Sequence, residues 1–170
     1  MSRTQKIALS AVFAALIFCA TFFIKVPMVV VGYVNLGDCL VLSAGWLLGP
    51  VWGGAAGAIG SALADLSGGY AIYMLPTFLI KGGMAILAWL IWHLLRTKLS
   101  LLGRVLGAIL AEGLMVGGYL LFECISYGGA AALASVPFNL IQGAFGAVLS
   151  VLLTELLTRA KASRRFFHIS

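Results

Sequence analysis

Long apolar stretches, separated by short turns carrying glycine, proline or charge, run through almost all of this 170-residue chain. Hydrophobic residues make up 62% of it and charged residues 9%, against about 25% charged in an ordinary soluble domain. A soluble chain this apolar could not cover its own core with polar surface, so the pattern reads as an all-α integral membrane protein. The length suits one membrane domain over 1–170, with short basic ends at 1–6 and 160–170.

The breakers predict six helices. The first covers residues 7–24 and the second 36–48. The turn Gly49-Pro50 places Pro50 at a first helical position, where its missing N–H costs nothing. The third covers 51–66, the fourth 76–95, the fifth 104–125 and the sixth 135–158. The segments 25–35, 67–73 and 126–134 read as loops on one side, and 96–103 as a basic loop on the other. The basic start followed by an apolar run looks like a signal peptide. It has no clear small-residue cleavage site before Lys25, and reads as a retained first helix.

Charge sets the orientation. Of eleven lysines and arginines, Arg3, Lys6, Arg96, Lys98, Arg104, Arg159, Lys161, Arg164 and Arg165 fall on one side, leaving only Lys25 and Lys81. The positive-inside rule makes that side cytoplasmic, and an even number of spans puts both termini there. The net charge of +6 therefore reads as topology rather than as a nucleic-acid surface. The aromatics divide the same way. Trp46, Trp52, Trp89 and Trp92 fall near inner helix ends, as an interfacial belt would, and Tyr33, Tyr70, Tyr73, Tyr119 and Tyr127 fall toward the outside. Cys19, Cys39 and Cys124 show no metal or disulfide spacing and read as buried small hydrophobes.

Helix 2 is short. About 13 residues at 1.5 Å each give roughly 20 Å, against a hydrocarbon core of roughly 30 Å. Two short helices joined by a tight turn predict a recess at the outer face. Polar residues collect at the same level. Asp38 opens helix 2, Asp65 ends helix 3 and Lys81 lies just inside helix 4. On helix 5, Glu123 is near the outer end, Tyr119 one turn away and Glu112 deeper. Asn139 and Gln142 share a face of helix 6. Charges inside a membrane are costly and mark function or internal pairing. Asp65 and Lys81 could pair across helices 3 and 4, Asp38 could serve the helix dipole with Asn35 as N-cap, and Glu155 could pair with Arg159. Small residues Ala8, Ala11 and Ala15 on helix 1 form a strip another helix could approach closely.

The chain has no nucleotide-binding loop, no HExxH and no GxSxG, so no ATPase is encoded in it. Besides a binding subunit, two readings remain open at this level. One is a membrane enzyme acting on lipid headgroups with Asp65 and Glu112 as acid and base. The other is a small oligomeric channel.

Several segments narrow the choice: Gly32-Tyr-Val-Asn-Leu-Gly-Asp38, Leu48-Gly-Pro50, Gly53-Gly-Ala-Ala-Gly-Ala-Ile-Gly-Ser-Ala-Leu-Ala-Asp65, Gly69-Tyr70, Pro76-Thr-Phe-Leu-Ile-Lys-Gly82, Pro137-Phe-Asn139 and Gln142-Gly143. Together they closely resemble the substrate-binding S components of energy-coupling factor (ECF) vitamin transporters, in the riboflavin-transporter-like subgroup. The resemblance implies a six-transmembrane-helix bundle that captures a water-soluble vitamin from outside. It implies a transmembrane coupling subunit and two cytoplasmic ATPase subunits as partners, with ATP hydrolysed there and no cofactor held here. It implies docking through Ala8, Ala11 and Ala15. The location expected is the cell membrane, as a multi-pass protein of a bacterial plasma membrane.

Within that resemblance the expected ligand is a vitamin B6 form or hydroxymethylpyrimidine. Riboflavin would need a longer pocket, and an anionic vitamin would demand more of Lys81 and Lys25. The expected substrate contacts are Asn35, Asp65, Tyr70, Tyr73, Lys81, Glu112, Tyr119, Glu123, Asn139 and Gln142. The tyrosines would pack on a flat ring and Lys81, Glu112, Asn139 and Gln142 would fix its polar edge.

Overall fold

The computed structural model describes residues 2–28 and 32–160. Helix α1 covers Arg3–Phe23. It starts where Ser2 and Gln5 cap each other: the Gln5 N–H donates to Ser2 Oγ at 3.2 Å and the Ser2 N–H to Gln5 Oε1 at 2.8 Å. A small antiparallel hairpin follows, β1 (Lys25–Pro27) against β2 (Tyr33–Asn35), with Lys25 opposite Asn35. The sequence reads this segment only as a loop, because strands of three residues carry too little alternation to be seen.

Helices α2 (Gly37–Leu48) and α3 (Pro50–Ser67) meet at Gly49, whose φ of 88° only glycine adopts freely, and Pro50 starts α3 as expected. The pair packs almost backbone to backbone. A Cβ on Gly53 would strike the Ala44 carbonyl, and one on Gly60 would strike the Ala14 carbonyl of α1. The glycine-rich face of α3 thus serves packing inside the chain.

Helix α4 (Met74–Tyr127) follows a short 3-10 turn, Ala71–Tyr73, and is broken at Leu99, whose φ of −137° and ψ of 52° are not helical. Its arms, 74–98 and 100–127, fold back on each other. Thr77 Oγ1 lies 3.0 Å from the Tyr119 hydroxyl, and a Cβ on Gly107 would lie 2.8 Å from the Ala88 carbonyl. The basic loop expected over 96–103 is therefore helical apart from its break. The loop expected over 126–134 is also mostly helix. Gly128, at φ 87°, makes the turn, and α5 runs over Gly129–Arg159. Alanines 130–132 and 134 favour helix strongly enough to extend α5 toward Gly128.

Ile17, Val41, Leu42, Met84 and Met115 are fully buried, while leucines and isoleucines of α1, α4 and α5 line the outside. Among the described residues, three helical stretches are long and apolar enough to cross a membrane: Arg3–Phe23, Ala71–Tyr127 and Gly129–Arg159. Helix α2, at 12 residues, reaches only about 18 Å. The buried face of α5 is unusual. It consists of Ala132, Ser135, Asn139, Gln142, Gly143, Gly146, Ser150 and Thr154, with no large apolar side chain. This helix turns its hydrophobic side to lipid and its polar side to the bundle.

Several readings need correction. Trp46 and Trp92 are core residues rather than members of a belt: their indole N–H groups donate to the Ala88 carbonyl at 3.0 Å and to Ser100 Oγ at 3.1 Å. Cys19 and Cys124 are exposed on the helix exteriors, not buried. Glu155 binds Arg159 Nε at 3.4 Å as expected, and it also pairs with Arg104 of α4. Lys161, Arg164 and Arg165 of the basic tail lie outside the described residues.

Candidate functional site

A narrow cavity, with about 20 Å³ of free room, lies at the end of the bundle that the hairpin covers. Five parts of the chain wall it. Thr21 comes from the last turn of α1, and Met28, Gly32, Tyr33 and Asn35 from the hairpin segment. Ser61 and Asp65 come from the end of α3. Tyr73, Thr77 and Lys81 come from the 3-10 turn and the start of α4, with Tyr119 and Glu123 opposite on its second arm. Asn139 and Gln142 come from the polar face of α5. The end of α3 and the starts of α2, α4 and α5 all meet here because Gly49 and Leu99 turn the chain at the other end. The walls stand close together.

One network runs from the hairpin into the bundle. The Asn35 N–H donates to Gln142 Oε1 at 2.7 Å, and Gln142 Nε2 donates to Asp38 Oδ2 at 2.6 Å. The other Asp38 oxygen accepts from Lys81 Nζ. Asp38 is 0% and Lys81 2% exposed, so neither ion is solvated and each depends on the other. The expected Asp65–Lys81 pair is thus not formed. Asp65 accepts instead from the Tyr33 hydroxyl of the hairpin. Asp38 is more than a helix-start residue, and the N-cap of α2 is Leu36 rather than the expected Asn35, whose Oδ1 accepts from the Gly37 N–H at 2.8 Å from one residue before the cap.

Glu123 is buried. Its carboxylate accepts from the Tyr73 hydroxyl at 3.1 Å and from Ser135 Oγ. Tyr33 packs on Tyr70 with centroids 4.7 Å apart, and Tyr73 lies 6.2 Å from Tyr119, giving an aromatic wall beneath the hairpin. Lys25 Nζ lies over Phe22 at 4.7 Å and over Tyr33 and Tyr70 at 5.5 Å. Burial, and then the neighbouring Asp65, push the Tyr33 hydroxyl far above its ordinary ionisation range. The phenol stays neutral and keeps its donor hydrogen.

Of the residues singled out from sequence, Asn35, Asp65, Tyr73, Lys81, Tyr119, Glu123, Asn139 and Gln142 line the cavity. Tyr70 stands behind Tyr33. Glu112 lies deeper, against Gly143 and Gly146, with neither carboxylate oxygen bonded among the described residues. An acid–base pair of Asp65 and Glu112 would need a shared space, and only Asp65 lines this one. Sequence reasoning missed Thr21, Tyr33, Ser61 and Thr77 as wall residues and Asp38 as the anchor of Lys81. Tyr33 carried a signal, since it falls with the other outer tyrosines. The lone hydroxyls in apolar helices carried almost none. Among the described residues no three His, Cys, Asp or Glu side chains gather as a metal site requires.

On the outside of the bundle, Ala8, Ala11 and Ala15 lie on the exposed side of α1. Ala11 and Ala15 line an apolar groove whose far wall is Trp52, Ala55, Ile59 and Leu63 of α3. Ala8 lies beyond the groove lining.

Comparison with known proteins agrees with this architecture. The sequence profile of the ECF-type riboflavin transporter S component matches residues 1–159. An uncharacterised protein of Pyrococcus woesei is 34% identical over 131 residues, covering 76% of this chain and 85% of that one. The thiamine precursor transporter HmpT of Lactococcus lactis is 30% identical over 157 residues, covering 91% and 89%. A solved S component of a bacterial ECF transporter superposes with a TM-score of 0.75 at 21% identity, over 92% of this chain and 97% of that one, which establishes the shared fold. The chain belongs to the family of ECF-type transporter S components, membrane proteins that serve as substrate-binding subunits for vitamin uptake.

Proposed function

We propose that this S component captures a small pyrimidine precursor of thiamine from outside the cell, through the cavity beneath the hairpin. The relation to HmpT supports a thiamine precursor such as hydroxymethylpyrimidine over a vitamin B6 form. The lining supports a flat heteroaromatic ligand, admitted as the hairpin and tyrosines part, with Tyr73 and Tyr119 against its face and Asn139, Gln142 and Lys81 at its polar edge. The single observation that carries the reading is that one end of the bundle, away from the basic segments, holds ten of the fifteen buried polar side chains among the described residues.

In this reading α1, α2, α3, the two arms of α4 and α5 make six membrane crossings, with both termini cytoplasmic in the cell membrane. The hairpin then lies on the outer face and gates entry. The groove of Ala11 and Ala15 takes a helix of the transmembrane coupling subunit, which small residues let approach closely. Two cytoplasmic ATPase subunits supply the energy.

Mass spectrometry of the chain purified by itself in detergent tests this. The expected result is one equivalent of an aminopyrimidine released on denaturation, or taken up when added. A preparation that neither carries nor binds any vitamin-like molecule would contradict the reading.

A further inference from the structure

The α1–α3 side of the cavity carries polar atoms that the protein itself leaves without partners. Thr21 Oγ1, Ser61 Oγ and Asp65 Oδ2 are buried and unbonded among the described residues. Their residues are 2%, 1% and 2% exposed, and all three line the same cavity. Ser61 and Asp65 are one turn apart on α3, so both project toward one side. Three other polar lining residues have partners. Glu123 is bonded by Tyr73 and Ser135, Thr77 by Tyr119, and Gln142 by Asn35 and Asp38. An unmet buried polar group costs about 1–3 kcal/mol. Three of them facing one space is an arrangement that a ligand would relieve.

From this we infer that Thr21, Ser61 and Asp65 form a ligand subsite that reads an exocyclic amine beside a ring nitrogen. The proposal rests on the capture function proposed above and specifies which edge of the ligand is recognised. Asp65 Oδ2 can only accept when ionised, so it calls for a donor hydrogen. A hydroxyl can donate as well as accept, so Ser61 can serve the neighbouring ring nitrogen while Thr21 meets a further polar substituent. An aminopyrimidine offers an N–H donor next to that acceptor. A pyridine vitamin whose hydroxyls lie away from the ring nitrogen can give Asp65 an O–H, but not with the acceptor beside it. Tyr33 holds the other Asp65 oxygen, which fixes the carboxylate's direction and ties ligand recognition to the hairpin.

The test is calorimetric titration of the purified full chain and of Asp65→Asn, Ser61→Ala and Thr21→Val. The probes are hydroxymethylpyrimidine, the same compound with hydrogen in place of its exocyclic amine, and pyridoxine. The wild type should prefer the amine by about 100-fold or more, as sites built around a hydrogen-bonded group do. Asp65→Asn should remove most of that preference while moving the affinity of the amine-free analogue by no more than about 3-fold, and Ser61→Ala should weaken the amine by about 10-fold. Should Asp65→Asn fail to fold, Ser61→Ala and Thr21→Val carry the test. Tight aminopyrimidine binding that these variants leave intact would overturn the subsite and leave the capture function standing. So would a wild type that binds pyridoxine in preference. A wild type that binds none of the probes would overturn both.

Discussion

Lys81 and Asp38 form an ion pair inside the bundle, joining α4 to the first turn of α2, and Gln142 holds the second Asp38 oxygen at 2.6 Å. The pair fixes how α2, α4 and α5 meet beneath the cavity. Removing one partner strands the other charge. Lys81→Met or Asp38→Asn should each cost about 3–5 kcal/mol of stability, and the double variant distinctly less than the sum. Thermal unfolding of the four proteins in detergent measures the coupling. Additive losses would mean the two groups do not depend on each other.

Glu112 leads to a second prediction. Its carboxyl is buried, unbonded among the described residues, and wedged against Gly143 and Gly146. An unmet polar group of this kind costs about 1–3 kcal/mol, so Glu112→Met should raise the unfolding temperature. Because Glu112 does not line the cavity, ligand affinity should barely move. Gly146→Ala should do harm, since its methyl would strike Glu112 Oε1 and approach Asp38 Cβ to 2.9 Å, an overpacking worth about 1–3 kcal/mol. A Glu112→Met protein that folds and has lost its ligand would place Glu112 in the site after all.

The hairpin makes stability depend on alkaline pH. Tyr33 ionises in the folded protein only far above its ordinary value of 10.0. The unfolded chain releases this proton first, so its contribution is whole below pH 10 and declines as pH rises above it. The unfolding temperature should therefore fall above pH 10, and Tyr33→Phe should flatten that fall. Unfolding temperatures across the alkaline range, followed alongside tyrosinate absorbance, give the comparison. Equal slopes in wild type and variant would assign the effect elsewhere.

In the proposed reading the α1–α3 groove serves delivery and not binding. A tryptophan at Ala11 or Ala15 would fill the groove while lying far from Lys81 and Gln142. Ala11→Trp and Ala15→Trp should abolish uptake by cells while leaving titration of the isolated chain unchanged. Uptake that persists in both would mean the coupling subunit docks on another face.

Much of this was legible in the chain. Gly49-Pro50 marked the α2–α3 turn because positive φ and a helix-starting proline each have a single economical place. Asp65, Lys81, Asn139 and Gln142 stood out because charge and amide groups are scarce in apolar helices. Their partners did not. Whether Lys81 meets Asp38 or Asp65 depends on the rotation of three helices about their axes, and both aspartates sit at helix ends of the same level. Thr21 and Ser61 were silent because a hydroxyl in an apolar helix ordinarily bonds its own backbone. Gly128 alone turning the chain between α4 and α5 was hidden by the polar look of the residues around it.

The most direct test of the central claim is calorimetric titration of hydroxymethylpyrimidine into the isolated chain, alongside a variant carrying Asn139→Ala and Gln142→Ala. The account predicts saturable binding of one molecule per chain without any partner subunit, lost in the variant although it remains folded. Binding that survives loss of both amides, or that appears only when the coupling subunit is added, would contradict it.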